Sequence, residues 1–94
     1  MDELNAKLNQ PFEITLASKA LAGYEWKPVF NTFALKLLGT RRTRGKRSFG
    51  ASGQEIFRFE AVRPGDYDIS FELKRPFEKG PVERRNFSLH VQTP

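Results

Sequence analysis

The sequence predicts an all-β protein, an antiparallel sandwich of two sheets with about seven strands. Apolar and polar residues alternate in five stretches, and this period of two places one set of side chains in a core and the other in water. Gly, Pro and Asn residues separate the stretches, as turns require. Only Asp2–Leu8 looks helical, and it is too short to be a stable helix alone. The length predicts one domain, 1–94.

The elements follow from the alternation, in chain order. We expect the second to seventh strands near residues 11–17, 24–38, 44–49, 54–62, 66–74 and 83–92. In the 24–38 stretch Phe33, Leu35 and Leu37 alternate with polar or small residues, while Pro28 indicates an edge or a bend. The residues expected to be mostly buried are Phe12, Ile14, Leu16, Trp26, Leu35, Phe57, Phe59, Ile69, Phe71, Phe87, Leu89 and Val91.

Two aromatic residues favour an immunoglobulin-like sandwich over a barrel. Tyr67 follows Pro64 and the turn glycine Gly65 at the start of a long alternating strand, which is the setting of a tyrosine corner. Trp26 lies on the strand where such sandwiches bury a tryptophan. The fold class is therefore predicted as an immunoglobulin-like antiparallel β-sandwich.

The count of chain reversals places three loops together. Because successive antiparallel strands alternate in direction, the connections at 18–23, 50–53 and 75–82 are expected at one end, and those at 39–43 and 63–65 at the other. A rigid sandwich that presents three loops at one end is suited to recognition.

The residues for catalysis or metal binding are largely missing. The chain has no cysteine and one histidine, His90, which the alternation places on the outer face of a strand. No serine lies in a Gly-x-Ser-x-Gly turn, and the carboxylates show no clustered pair. The sequence therefore predicts a protein that is not an enzyme and that has no cofactor and no metal site.

The net charge of +5 comes from one segment, residues 41–47, which has five basic residues and no acidic one. The rest of the chain has equal numbers of basic and acidic side chains. The segment is interpreted first as a solvated loop or strand edge. Binding of nucleic acid or of an acidic surface is the alternative.

The sequence gives limited information on location and assembly. No apolar run approaches the ~20 residues of a membrane span, and the acidic start at Asp2 and Glu3 lacks the apolar part of a signal peptide. We therefore expect no membrane association and a cytoplasmic protein, unless the chain is the mature form of a secreted or periplasmic one. Nothing indicates an oligomer, so the free protein is expected to be a monomer.

Three segments resemble the binding loops of the chagasin-type inhibitors of papain-like cysteine proteases. Residues 23–26 (Gly-Tyr-Glu-Trp) resemble the G-[YF]-x-W that closes the first loop of this family. Residues 50–53 (Gly-Ala-Ser-Gly) resemble its G-x-G-G loop, and residues 75–77 (Arg-Pro-Phe) resemble its R-P-W loop. The three occur in the family's order, and the resemblance extends over residues 9–92.

The resemblance implies a single chagasin-like inhibitor domain and reversible, non-covalent blockade of a protease cleft. The implied protease-binding residues are Lys19, Ala20, Leu21, Ala22, Gly23, Tyr24, Gly50, Ala51, Ser52, Gly53, Arg75, Pro76 and Phe77. Residues 19–23 would lie over the catalytic Cys–His pair of the protease, and residues 50–53 would run along one side of its cleft. Arg75, Pro76 and Phe77 would pack on the other wall.

The loops also depart from the family pattern. The usual N-P-T-T before the first-loop glycine is Lys-Ala-Leu-Ala here, Ser52 replaces a glycine, and Phe77 replaces tryptophan. Two other functions stay open: a sandwich that binds a different protein with the same loops, and nucleic-acid binding through residues 41–47. Phe77 itself could be a loop-tip anchor, a surface residue or a cap on the core.

Overall fold

The computed structural model describes residues 2–19, 22–43 and 53–93. It has seven β-strands, and no α-helix occurs in the described ranges. The strands are β1 (Asp2–Lys7), β2 (Pro11–Ala17), β3 (Glu25–Val29), β4 (Leu35–Thr43), β5 (Gln54–Ala61), β6 (Gly65–Lys74) and β7 (Glu83–Gln92). The prediction of an all-β, immunoglobulin-like sandwich is confirmed.

The strands form two sheets, one of four strands in the order β1-β7-β6-β3 and one of three in the order β2-β5-β4. All pairs are antiparallel except β1 with β7, which is parallel. The helix expected for Asp2–Leu8 is wrong, since this segment is mainly strand β1. A helix this short gains little from its own hydrogen bonds, whereas the edge of β7 offers a full ladder and a site where Ala6 is buried.

The core lies between the sheets and includes a cluster of phenylalanine rings. Phe59 of β5 stacks on Phe12 and contacts Phe71 of the facing sheet edge to face, with ring centroids 5.8 and 6.3 Å apart. Phe71 also contacts Phe57 and Phe87, at 4.9 and 5.7 Å. Of the twelve residues expected in the core, all are buried except Phe12, which is half-buried and packs against the others.

The predicted strand 24–38 is two strands, which is a correction. A turn at Asn31 ends the first: the backbone carbonyl of Asn31 accepts from the amides of Ala34 and Leu35, and its side-chain Oδ1 accepts from the amide of Phe33 at 2.9 Å. This Asx turn reverses the chain. It leaves Phe33 79% exposed and buries Ala34, the reverse of the predicted alternation.

The same correction moves one reversal from 39–43, which lies on β4, to residues 30–34. A register shift between Leu37 and Gly39 marks a bulge on β4, and Leu37 and Leu38 are both exposed there. The predicted strand 44–49 lies outside the described residues. Strand β4 is the strand between β3 and β5, the position in the order that was predicted for 44–49. The number of chain reversals is therefore as predicted, and the three loops still lie at one end.

Both aromatic signatures of the sandwich are present. The Tyr67 hydroxyl donates to the backbone carbonyl of Pro64 at 2.8 Å, which is the tyrosine corner. Gly65 has a φ of +130°, and a Cβ there would lie 3.2 Å from the Tyr67 hydroxyl, so the corner requires glycine. Trp26 is buried, and its indole Nε1 donates to the carbonyl of Ala17 at 2.9 Å.

Candidate functional site

Three loops share one end of the sandwich: the first loop (residues 18–24), the second loop (44–53) and the third loop (75–82). They follow β2, β4 and β6, whose last residues lie at the same end. In the three-stranded sheet Gln54 lies opposite both Ala17 and Thr43, and in the four-stranded sheet Lys74 lies opposite Glu25. This end is called the loop end below.

The first loop lies between the other two. It crosses from one sheet to the other, whereas the second and third loops each join neighbouring strands of one sheet. The amide of Ser18 donates to the carbonyl of Gly53 at 3.0 Å, which joins the first loop to the end of the second. Side-chain contacts of Arg75 join it to the third. The described parts of the three loops are therefore neighbours at the loop end.

The first loop is a tight turn that ends at Gly23. The carbonyl of Lys19 accepts from the amides of Ala22 and Tyr24, at 3.1 and 3.2 Å. Gly23 has a φ of +84°, a conformation that residues with a Cβ rarely adopt, which explains the glycine. Ala22 and Gly23 are exposed, so their backbone is accessible to a partner.

Arg75 joins the third loop to the first. Its Nε donates to the carbonyl of Ala22 at 3.2 Å, and its guanidinium carbon lies 4.5 Å from the centre of the Tyr24 ring. Its Nη1 lies 3.6 Å from a carboxylate oxygen of Glu78 in the same loop. The guanidinium is thus engaged within the protein by a hydrogen bond, a cation–π contact and an ion pair.

The tip of the third loop is apolar and accessible. Phe77 is 83% exposed, and Pro76 before it is also exposed. This exposure rules out the hypothesis that Phe77 caps the core. The turn is closed by the amide of Glu78, which donates to the carbonyl of Arg75 at 3.2 Å. An exposed aromatic ring on a hairpin that a sheet supports is a suitable anchor for a protein interface.

Ion pairs connect the strands that lead into and out of the second loop, and the sequence analysis did not predict these pairs. Arg42 Nε lies 3.0 Å from Oε1 of Glu55, whose side chain is only 3% exposed, and Arg42 Nη2 lies 3.5 Å from Glu25 of the other sheet. Oε2 of Glu55 is buried without a hydrogen-bond partner in the described part of the chain. The alternation of β5 could have revealed the buried carboxylate, because it puts Glu55 on the inward face with Phe57 and Phe59.

The structure brings together the predicted site residues that it describes. These lie in the first loop, at the end of the second and in the third: Lys19, Ala22, Gly23, Tyr24, Gly53, Arg75, Pro76 and Phe77. The remaining predicted site residues, Ala20, Leu21, Gly50, Ala51 and Ser52, lie outside the described residues.

The basic segment is described in part. Arg41 and Arg42 lie on β4, an edge strand, as the first interpretation expected, and both have acidic partners. Arg41 pairs with Glu13 at 2.9 Å, with its side chain 58% exposed. Residues 44–47 of the segment lie outside the described residues.

His90 lies away from the loop end, on the outer face of β7, as predicted. It is half-buried because its ring lies between two carboxylates: Nδ1 is 2.8 Å from Asp66 of β6, and Nε2 is 3.7 Å from Glu3 of β1. The hydrogen bond to Asp66 is the main cause that raises the pKa of His90 above 6.5. Among the described residues no three His, Cys, Asp or Glu side chains are grouped to hold a metal ion.

The chemistry of the loop end is that of binding. It presents exposed backbone, small residues and an exposed aromatic ring, and its described charged groups at Arg75 and Arg42 are paired with carboxylates of the same chain. In the residues that the structure describes, there is no helix with the length and apolar composition needed to cross a bilayer. The fold is therefore a β-sandwich whose loop end presents groups suited to binding.

Comparisons with known proteins agree with this class. The sequence matches the family description "Chagasin family peptidase inhibitor I42" over residues 5–91. Comparison with curated proteins gives no significant match. The fold is similar to the crystal structure of the cysteine protease inhibitor EhICP2 from Entamoeba histolytica, with a TM-score of 0.79 and 18% identity over 96% of this chain and 85% of the other. It is also similar to the solution structure of Amebosin, with a TM-score of 0.63 and 21% identity over 98% and 88% of the two chains.

The chain belongs to the chagasin family of peptidase inhibitors. It is therefore a protease inhibitor and not an enzyme, and membership of this family of cysteine protease inhibitors implies a cysteine protease as the partner.

Proposed function

We propose that the protein inhibits papain-like cysteine proteases reversibly and without a covalent bond, by placing its loop end in the active-site cleft. The observation that supports this most strongly is the arrangement of the loops, with the first loop between the second and the third. A cleft has a floor and two walls, and three neighbouring loops at one end of the inhibitor can contact all of them at once.

The first loop is assigned to the catalytic residues of the protease. Gly23 has no Cβ, and the exposed backbone at Ala22 and Gly23 can approach a nucleophile closely. The turn around Lys19 presents this backbone as a bend, unlike the extended chain of a substrate. A bent segment without a correctly placed scissile bond can occupy the site without being cleaved.

The other two loops are assigned to the cleft walls. The third loop would place Phe77 and Pro76 on one wall, where burial of an exposed phenylalanine ring favours binding. The second loop would contact the opposite wall through Gly53 and its neighbours at 50–52. Because the sheets already hold both ends of each loop, little chain entropy is lost on binding. We expect one monomer of inhibitor to bind one protease.

The direct test is to titrate the protein into papain and into a cathepsin-L-type enzyme and to measure residual activity. We expect activity to fall in proportion to inhibitor added and to return on dilution, because no covalent bond forms. A serine protease such as trypsin serves as the control and should keep its activity. If neither cysteine protease is inhibited, the proposal is wrong, and binding of a different protein by the loop end becomes the favoured function.

A further inference from the structure

Arg75 is placed to act on the first loop from within the inhibitor. We propose that Arg75 is a positioning residue, which holds the first loop against the third before any protease is bound. This inference rests on the proposed function, because it concerns how the loop end is prepared for the cleft. It differs from the role that the resemblance implies for Arg75, which is contact with a cleft wall.

The guanidinium group is committed to its own chain on several sides. Nε donates to the carbonyl of Ala22, the guanidinium carbon lies 4.5 Å from the centre of the Tyr24 ring, and Nη1 lies 3.6 Å from a carboxylate oxygen of Glu78. The Arg75 side chain is 38% exposed, whereas Phe77, two residues along the same loop, is 83% exposed. Phe77 is thus presented to a partner, while Arg75 lies behind it against the first loop.

The first loop needs such a support. Its described residues belong to neither sheet, and the turn at Lys19 is closed by short-range backbone hydrogen bonds from Ala22 and Tyr24. At its start the Ser18 amide is joined to Gly53, and near its end the link to the third loop is Arg75. A loop that populates its binding conformation only part of the time binds more weakly by that fraction.

The chemistry of these contacts is specific to arginine. A lysine at position 75 keeps the positive charge but has neither an Nε–H at the same place nor a planar face to lie over Tyr24. Similarly, Tyr24→Phe keeps the ring that the guanidinium contacts, whereas Tyr24→Leu removes it. These pairs of variants separate a positioning contact from a simple charge.

The test is a double-mutant cycle on protease inhibition. We expect Arg75→Lys to weaken inhibition about tenfold, the combined value of a cation–π contact and a hydrogen bond. Tyr24→Leu should weaken inhibition less, because it removes the cation–π contact and leaves the Arg75–Ala22 hydrogen bond in place. The double variant should be no weaker than the weaker single variant, because both remove the same contact. Tyr24→Phe keeps the ring and should lose less inhibition than Tyr24→Leu. Arg84→Lys, the same change at an exposed arginine of β7 that pairs with Glu72, is the matched control and should stay within about twofold of wild type. Multiplicative losses would show that Arg75 acts independently of Tyr24, as expected for direct contact with the protease. Full inhibition by Arg75→Lys would show that the contacts of the guanidinium group are not needed, and either result would overturn the proposal.

A second measurement uses the free protein and does not depend on inhibition. We expect Arg75→Lys to lower the ¹⁵N order parameters of Ala22, Gly23 and Tyr24, while thermal unfolding and the spectra of the strands stay the same. Unchanged order parameters would overturn the positioning role. If no cysteine protease is inhibited, the proposed function fails, and this measurement still decides whether Arg75 orders the first loop.

Discussion

At the scale of single residues, the proposed binding surface includes a side chain that the fold does not need. Phe77 is 83% exposed at the loop end, and Phe33 is 79% exposed in the turn at the opposite end. Neither ring contributes to the core, so truncation should change stability little at either position. The two phenylalanines thus form a matched pair, one at the proposed site and one remote from it.

We expect Phe77→Ala to weaken inhibition by about 1–2 kcal/mol, because a loop-tip aromatic becomes buried against the cleft wall. Phe33→Ala is the control and should leave the inhibition constant unchanged. Inhibition assays and urea unfolding of both variants provide the measurement. Equal inhibition by the two variants would remove Phe77 from the interface.

Ala22 allows a complementary test that adds a group. The family usually places threonine beside the first-loop glycine, and Ala22 is exposed. We expect Ala22→Thr to tighten inhibition by about 0.5–1.5 kcal/mol, the net value of one hydrogen bond. Ala22→Val is the control, since it has the same shape as threonine without the hydroxyl. If valine tightens inhibition as much as threonine, shape and not hydrogen bonding is responsible.

At the scale of elements, strand β4 combines an exposed edge with an ion pair to the buried carboxylate of Glu55. The bulge at Leu37–Gly39 and the charges of Lys36, Arg41 and Arg42 discourage pairing of this edge with other chains. The two arginines nevertheless have different surroundings. Arg41 pairs with the partly exposed Glu13, whereas Arg42 pairs with Glu55, which is buried.

We expect Arg42→Met to lower the free energy of unfolding by about 1–3 kcal/mol, because the buried carboxylate of Glu55 loses its partner. The lower part of this range is favoured because Arg42 itself is about half exposed, with a side-chain exposure of 51%. Arg41→Met is the matched control and should cost about 0–1 kcal/mol, the usual value of a surface pair. Urea denaturation of both variants measures the difference, and equal losses would contradict the assigned role of Glu55.

Strand β1 is held to its sheet partly by charged side chains. Asp2 pairs with Arg85 of β7 at 2.9 Å, and His90 of β7 lies between Glu3 of β1 and Asp66 of β6. A protonated His90 therefore stabilises the packing of β7 between β1 and β6. Since the raised pKa belongs to the folded state, the folded protein holds this proton more tightly than the unfolded chain does.

The stabilising contribution of His90 should be fully present below pH 6.5, the unfolded value, and should be lost as the pH rises through the folded-state pKa. We expect an NMR titration of the His90 ring to have its midpoint above 6.5. Asp66→Asn is the control, and it should move the midpoint downward because it removes the main cause of the shift. A midpoint at or below 6.5 in the wild type would contradict this arrangement.

At the scale of the whole molecule, the net positive charge comes from one segment of the sequence. Residues 41–47 contain five basic side chains, and Arg41 lies near the end of β4, which leads into the second loop. The field of such a segment acts on the approach of a partner more than on the final complex. The basic segment should therefore affect mainly the association rate constant, and the loop contacts mainly the dissociation rate constant.

We expect the pair of changes Arg41→Gln and Arg44→Gln to slow association with an acidic cysteine protease by at most about ten- to a hundredfold at low salt. The dissociation rate should stay the same, and the difference should shrink as salt screens the charges. Lys7→Gln with Lys36→Gln removes the same charge near the opposite end and serves as the control. Loss of inhibition at physiological salt would show that the segment is a contact surface.

The sequence by itself determined the fold class and the main binding candidates. The alternation of Ile69, Phe71 and Leu73 fixes which face of β6 is buried, because side chains of a strand point to opposite sides in turn. The tyrosine corner at Tyr67 and the order of the loops were also predictable, because each depends on residues that are near one another in the chain. Exposure of Phe77 was left open by the sequence and is settled by the structure.

Only the tertiary structure decided the features that join distant segments. Strand β1 forms because the edge of β7 is available to pair with it, and its own sequence looked helical. Glu55 finds Arg42 on a neighbouring strand, and Arg75 reaches Ala22 across 53 positions of sequence. Such pairings depend on how the two sheets are stacked and which strands become neighbours. A local pattern of residue types does not contain that information, because it reports the face of each side chain and not the group that will lie opposite.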